Sequence, residues 1–110
     1  MATIDEFNAL DIRVGTVVEA SPFPEARKPS IKLVIDFGAE LGQLRSSAQL
    51  TKHYTPADLV GRQVVAVVNF PPRRIAGYNS EVLVLGAMPA PDDVILLALE
   101  RPAPTGSRIG

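Results

Sequence analysis

The chain has no cysteine and no tryptophan, and a single histidine. Without thiols it forms no disulfide, performs no thiol chemistry and offers no cysteine ligand to zinc. His53 has no second imidazole with which to share a metal, so a surface or structural place suits it better than a ligand role. No apolar run approaches the length of a membrane span. Met1-Ala2-Thr3-Ile4-Asp5-Glu6 has neither the basic region nor the apolar core of a secretory signal. A cytoplasmic protein without membrane insertion is therefore expected. Also missing are a Gly-x-x-x-x-Gly-Lys phosphate loop, a Gly-x-Ser-x-Gly nucleophile elbow and a His-Glu-x-x-His pair. Ser46 and Ser47 have no elbow to present them and only His53 as a base, which argues against a serine nucleophile. Asp92-Asp93 reads as turn chemistry. The expectation is a binding protein: no enzyme, no metal, no cofactor.

What is present suits one domain spanning residues 1–110. At 110 residues and 46% hydrophobic content, the chain is too apolar to be disordered. It is long enough to bury about two-thirds of its unfolded surface. The formal net charge of −1 conceals an uneven distribution. Within the stretch from Arg45 to Arg74, the cations Arg45, Lys52, Arg62, Arg73 and Arg74 stand against the single acid Asp58, so a local cationic face is one reading and scattered solvated arginines the other.

Periodicity points to an all-β fold. Thr3-Ile4-Asp5-Glu6 has the form of a capping box, and Ile4, Phe7 and Leu10 follow at helical spacing. So short a helix is unstable alone and must cover something, either its own barrel or a second subunit. From Ile12 to Ala20 the alternation is that of a strand, with Gly15 suggesting a bulge or sharp bend. Three prolines make Ser21–Pro29 a stiff charged loop. Strands are predicted at Ile31–Phe37, Gln43–Leu50, Arg62–Phe70, Ser80–Met88 and Val94–Glu100, and a helical turn at Thr55–Gly61. The polar run Arg45-Ser46-Ser47-Ala48-Gln49 fits an edge strand or a hydroxyl- and amide-bearing floor for a ligand. The tail Arg101–Gly110 is extended or mobile unless a surface holds it. Short strands without long intervening helices favour a small antiparallel barrel, and periodicity alone does not separate this from an SH3-like barrel.

The stretch Asn69–Gly86 carries the strongest functional signal. Pro71-Pro72 stiffens a loop holding two guanidinium groups, Arg73 and Arg74, that can grip phosphate or carboxylate bidentately. Phe70, Ile75 and Tyr78 add apolar or stacking surface. That mixture suits nucleic-acid strands or extended peptide, unless the arginines pair with Glu81 and other acids instead.

Asp11-Ile12-Arg13-Val14-Gly15, Lys32-Leu33-Val34-Ile35-Asp36-Phe37-Gly38 and the Asn69–Gly86 loop resemble the tRNA-binding domain family, which includes free-standing proteins and domains appended to methionyl- and phenylalanyl-tRNA synthetases. Phe23-Pro24-Glu25-Ala26-Arg27-Lys28-Pro29, Ser46-Ser47-Ala48-Gln49 and Asn69-Phe70-Pro71-Pro72-Arg73-Arg74-Ile75-Ala76-Gly77 resemble its CsaA branch of export-linked bacterial chaperones. The resemblance implies a five-stranded OB-fold Greek-key barrel, with a short N-terminal helix and a one-turn helix between strands three and four. It implies a homodimer, with the N-terminal helix and C-terminal segment near the interface. It also implies a cytosolic chaperone that binds unfolded or precursor polypeptides without nucleotide hydrolysis and contacts export machinery, with tRNA as the alternative ligand. By position, the implied binding residues are Ser46, Ser47, Gln49, Asn69, Pro72, Arg73, Arg74, Ile75 and Ser80, to which the loop's own apolar character adds Phe70. Where tRNA-binding relatives have a Ser-Gly-Ile-like run and a Gly-Met pair, this chain has Ser47-Ala48-Gln49 and Glu81-Val82. An anion at position 81 weighs against a phosphate clamp and for peptide.

Overall fold

The alternation beginning at Ile12 becomes one long strand, β1 (Ile12–Pro22), on whose two edges the sheet is assembled. The computed structural model describes residues 1–110. Before β1 comes α1 (Ile4–Asn8), and after it β2 (Ile31–Asp36), β3 (Gln43–Ala48), α2 (Pro56–Leu59) and β4 (Gln63–Val67). Then follow β5 (Arg73–Ile75), β6 (Tyr78–Ser80), β7 (Leu83–Val84), β8 (Gly86–Ala90) and β9 (Asp93–Leu96). The main sheet runs β3-β2-β1-β4-β7, antiparallel throughout. It curls until the amides of Glu81 and Val82, just before β7, donate to the Arg45 carbonyl of β3 at 2.8 and 3.3 Å. The result is the nearly closed five-stranded antiparallel barrel that the family resemblance implies, with one-turn α2 between the third and fourth barrel strands. No helix is long and apolar enough to cross a membrane.

The barrel is filled from the inward positions of β2, where Ile31, Leu33 and Ile35 are buried and alternate with half-buried Lys32, Val34 and Asp36. They meet Val17, Phe37, Leu50, Leu59, Val64, Ala66, Val82 and Leu96 in one cluster. Each large side chain so buried stabilises the fold by roughly 1.5–3 kcal/mol. Gly15 exists for this cluster and not for a bulge. A β-carbon there would run into Ile35 Cγ2 and come within 2.7 Å of Phe37 Cε1, whereas the register shift of β1 lies between Val17 and Glu19.

Two other expectations change. The predicted strand Ser80–Met88 is broken into β6, β7 and β8, and β8 leaves the barrel to pair with β9 in a separate hairpin. The break into β8 is at Gly86, where a β-carbon would lie 2.7 Å from the Ile95 carbonyl oxygen. The tail is held by its own barrel. β2 pairs with β1 only from Thr16 onward, which leaves the even-numbered residues Ile12 and Val14 with a vacant edge. Chain 106–109 fills it: Val14 N–H donates to the Ser107 carbonyl (2.9 Å), and Gly106 and Ile109 N–H donate to Val14 and Ile12 carbonyls (both 2.8 Å). Arg13, doubly bonded to Asp11 at 2.6 and 3.3 Å, donates to the Gly106 carbonyl at 3.2 Å, so the Asp11–Gly15 motif acts as a latch on the tail. By contrast α1, whose capping box forms as predicted, buries no residue and leaves Ile4 70% exposed. It does not lie on its own barrel.

Candidate functional site

Pro71-Pro72 leads into a two-stranded ribbon, β5–β6, that projects from the connection between β4 and β7. Its two-residue turn, Ala76-Gly77, has φ of 47° and 81°, the left-handed pair that matches ribbon twist. Glycine meets that need freely but alanine does not, at a cost of roughly 1–2 kcal/mol. Ala76→Gly is expected to raise stability by about 0.5–1 kcal/mol, after the larger chain entropy of glycine is subtracted; an unchanged or lower denaturation midpoint would contradict the strain. The register places Arg73 opposite Ser80, Arg74 opposite Asn79 and Ile75 opposite Tyr78. Neighbouring residues of a strand face opposite ways, so Arg73 and Ile75 share one face of the ribbon and Arg74 takes the other.

Tyr78 fastens the ribbon to the barrel. Its hydroxyl donates to the Leu33 carbonyl at 3.1 Å, and its ring meets Phe23 edge-on at 5.5 Å. The Lys32 ammonium lies 4.7 Å from the Phe23 ring centre and 5.1 Å from that of Tyr78, with the Arg45 guanidinium 5.6 Å from the latter. Burial raises the Tyr78 phenol above the ordinary tyrosine pKa; Arg45 opposes the shift, and Glu81 and Glu19 assist it. The group is therefore a neutral donor at physiological pH.

The residues singled out in the sequence separate into two groups. Ser46, 1% exposed, donates its hydroxyl to the Val82 carbonyl at 3.0 Å and so belongs to the wall that closes the barrel, not to a ligand-facing floor. Ser80 is buried, and its hydroxyl accepts the Ser47 N–H at 3.0 Å. Asn69 accepts the Asp11 N–H and donates to the Ala9 carbonyl, both at 2.8 Å, clasping the junction between α1 and β1. Asn69→Ala removes both bonds and is expected to cost about 1–2 kcal/mol of stability. A urea melt indistinguishable from the parent protein would show that the clasp is idle. Glu81 accepts from the Arg45 N–H at 3.0 Å and from its Nε at 3.3 Å. The anion is thus committed to Arg45, while neither Arg73 nor Arg74 takes part in an ion pair.

Beside the ribbon runs a groove of about 450 Å³ between the 26–28 loop, the end of β3 and the chain from Leu83 to Met88. Ile75, Leu83, Leu85, Met88 and Val94 supply its apolar wall, and Arg27, Lys28 and Arg73 its charge, with no carboxylate in the lining. A smaller hollow of about 270 Å³ continues it past Ile75 and Leu83 to Phe70, Ser80 and Glu81. Ser47 borders both, and Gln49 borders the larger one. Ser46, Asn69, Pro72 and Arg74 border neither. Sequence reasoning missed Arg27, Lys28, Leu83, Met88 and Val94; the three prolines that stiffen the 22–29 loop were the available signal for the first two. On the outer face of β1–β3, Ser21, Lys32, Val34, Arg45 and Tyr78 surround a separate hollow of about 380 Å³.

Residues 12–108 match the family described as "Putative tRNA binding domain". The chain is 36% identical over 106 residues to a methionine–tRNA ligase of Methanococcus aeolicus and 37% identical over 107 residues to that of Clostridium perfringens. These alignments cover 96% and 97% of the chain but only 15% and 16% of the ligases, so the chain spans about a sixth of the length of these curated relatives. Among solved structures, chaperone CsaA of Bacillus anthracis str. Ames superposes with a TM-score of 0.95 at 56% identity, covering 100% of this chain and 99% of that one. CsaA of Picrophilus torridus gives 0.91 at 45% identity, with full coverage of both chains. By this match the chain belongs to the tRNA binding domain family, and its structure is similar over its whole length to the CsaA chaperones.

Proposed function

We propose that this protein is a dimeric, cytoplasmic chaperone that holds unfolded or precursor polypeptides, without catalysing a reaction or hydrolysing nucleotide. The observation that carries this reading is the groove beside β5: apolar walls from Ile75, Leu83, Leu85, Met88 and Val94, rimmed by cations and open to solvent. Such a surface takes up apolar side chains of an extended chain while the rim addresses its polar groups. The similarity to two CsaA chaperones supports the same conclusion. Precursors bound for export, and export machinery as a further partner, are the clients that the sequence resemblance implies. Of the residues named from sequence, Ser47, Gln49, Phe70, Arg73, Ile75 and Ser80 are proposed to border the bound chain. Asn69 and Ser46 hold the frame. Suppression of aggregation tests the reading: a chemically unfolded precursor diluted into buffer is expected to stay soluble with equimolar protein and no ATP. Aggregation at the uncatalysed rate would contradict it.

Dimerisation follows from what is left uncovered. Ile4 and Phe7 of α1 are exposed, as are Ile95 and Leu97. Apart from the barrel core, Leu10, Leu85, Leu99 and Ile109 are only half-buried around the small buried cluster Ile12, Val65 and Val67. A helix of this length needs a surface to rest on. Light scattering is expected to give twice the chain mass of 11.8 kDa, and a monomer at micromolar concentration would refute the dimer.

A second reading, tRNA binding, is favoured by the family and by the hollow outside β1–β3. There Lys32 and Arg45 flank the Tyr78 ring, the combination of cation and stacking surface that single strands use. Glu81 pairs with that Arg45, which reduces the charge available to phosphate.

A further inference from the structure

The groove is also the place where the barrel fails to close. β3 and the chain entering β7 are joined at one level, where the Glu81 and Val82 amides donate to the Arg45 carbonyl and the Ser46 hydroxyl donates to the Val82 carbonyl. Beyond that level the two edges part. In an antiparallel ladder, alternate residues turn their backbone groups toward the same neighbour. Arg45 turns away from β2, and so does Ser47, whose N–H is taken by a side chain, Ser80 Oγ. The Ser47 carbonyl therefore points into the gap, and it meets no partner there. On the facing edge, Leu85 N–H bonds to the Val65 carbonyl of β4, so Val84, one residue earlier, directs its N–H and carbonyl away from β4 and into the same gap. Neither group is engaged by backbone or side chain. Two strand edges with free donors and acceptors thus face one another across a groove whose walls are apolar.

We infer that an extended polypeptide lies in this open seam as an additional strand, bonded through its main chain to the Ser47 carbonyl and to Val84. The inference rests on the peptide reading above and specifies how that reading works. Main-chain bonding is indifferent to sequence, while Ile75, Leu83 and Met88 accept apolar side chains at alternate positions. The occupant is thus an extended segment with an apolar residue at every second position. An acidic flank complements Arg27, Lys28 and Arg73. The same geometry explains why Ser80 presents a hydroxyl to Ser47: it ends the zipped part of the seam with a side chain, leaving the strand edge beyond it open.

The probe is a capped peptide, Glu-Val-Ser-Leu-Thr-Val-Ser-Glu, compared with versions in which alternate central amides are replaced by esters. An ester keeps shape and side chains but removes the donor. The parent peptide is expected to bind, each ester version to bind about fivefold to tenfold more weakly, and the Val84 amide to exchange with solvent at least tenfold more slowly in the complex. If parent and ester peptides bind equally and Val84 exchange is unaltered, strand addition is overturned while the peptide reading stands. If the parent peptide does not bind at all, both fall.

Discussion

Changing Ile75 and Leu83 together to aspartate is expected to weaken peptide binding at least a hundredfold with little effect on folding. Both side chains border the two adjoining hollows, so any apolar segment passing along the ribbon touches them. A large apolar side chain contributes about 1.5–3 kcal/mol when it is covered, and two such losses exceed the factor of one hundred. Carboxylates introduced there must also be desolvated by the bound chain. The fold depends little on either residue: Leu83 is 46% exposed, Ile75 is part-exposed at the ribbon tip, and neither belongs to the barrel core. Fluorescence anisotropy with a labelled peptide reads the affinity, and circular dichroism confirms the fold. Unchanged affinity in a folded double variant would remove the groove from the account.

The largest effect on stability is expected at Gly15. Its φ is not in the left-handed region, so the position demands space and not backbone freedom. A methyl group would collide with Ile35 and Phe37, which are 0% and 1% exposed and have nowhere to go. Overpacking of this kind costs about 1–3 kcal/mol. For a domain of this size each kcal/mol lowers the melting temperature by roughly 4–8 °C. Gly15→Ala should therefore melt well below the parent protein. Gly42, where a β-carbon meets nothing within 4 Å, offers a contrast, since only its φ of 71° opposes substitution. A Gly15→Ala variant as stable as the parent would show that β1 can shift off the core.

Local patterns were legible in the sequence because their partners are neighbours. The Thr3–Glu6 capping box and the alternation of Ile31–Phe37 each depend on residues within a few positions. The misreadings involve partners far along the chain. Glu81 looked like an anion poised against a phosphate site, but its partner Arg45 is 36 residues away. Ser46 looked like part of a ligand floor, yet its hydroxyl serves the Val82 carbonyl of the chain that closes the barrel. The sequence does not say which surface holds the tail, because nothing local shows that β2 abandons the edge of β1 before Thr16. The same holds for the groove. It is a gap between β3 and β7, and a gap between distant strands leaves no periodicity to find. What the sequence did show was the chemistry around it: prolines stiffening the approach, the guanidinium of Arg73 and the apolar Phe70 and Ile75.

Peptide and tRNA affinities measured side by side across a salt series separate the two ligands. Contacts made by apolar burial and main-chain bonds depend weakly on salt and carry a negative heat-capacity change. Contacts to phosphate release counterions, so tRNA binding falls with salt by a log–log slope of about −0.7 for each phosphate neutralised on a single strand. Peptide binding is expected to be retained across the series and to exceed tRNA binding at physiological ionic strength. Tight, steeply salt-dependent tRNA binding, together with peptide binding that is absent or displaced by tRNA, would contradict it.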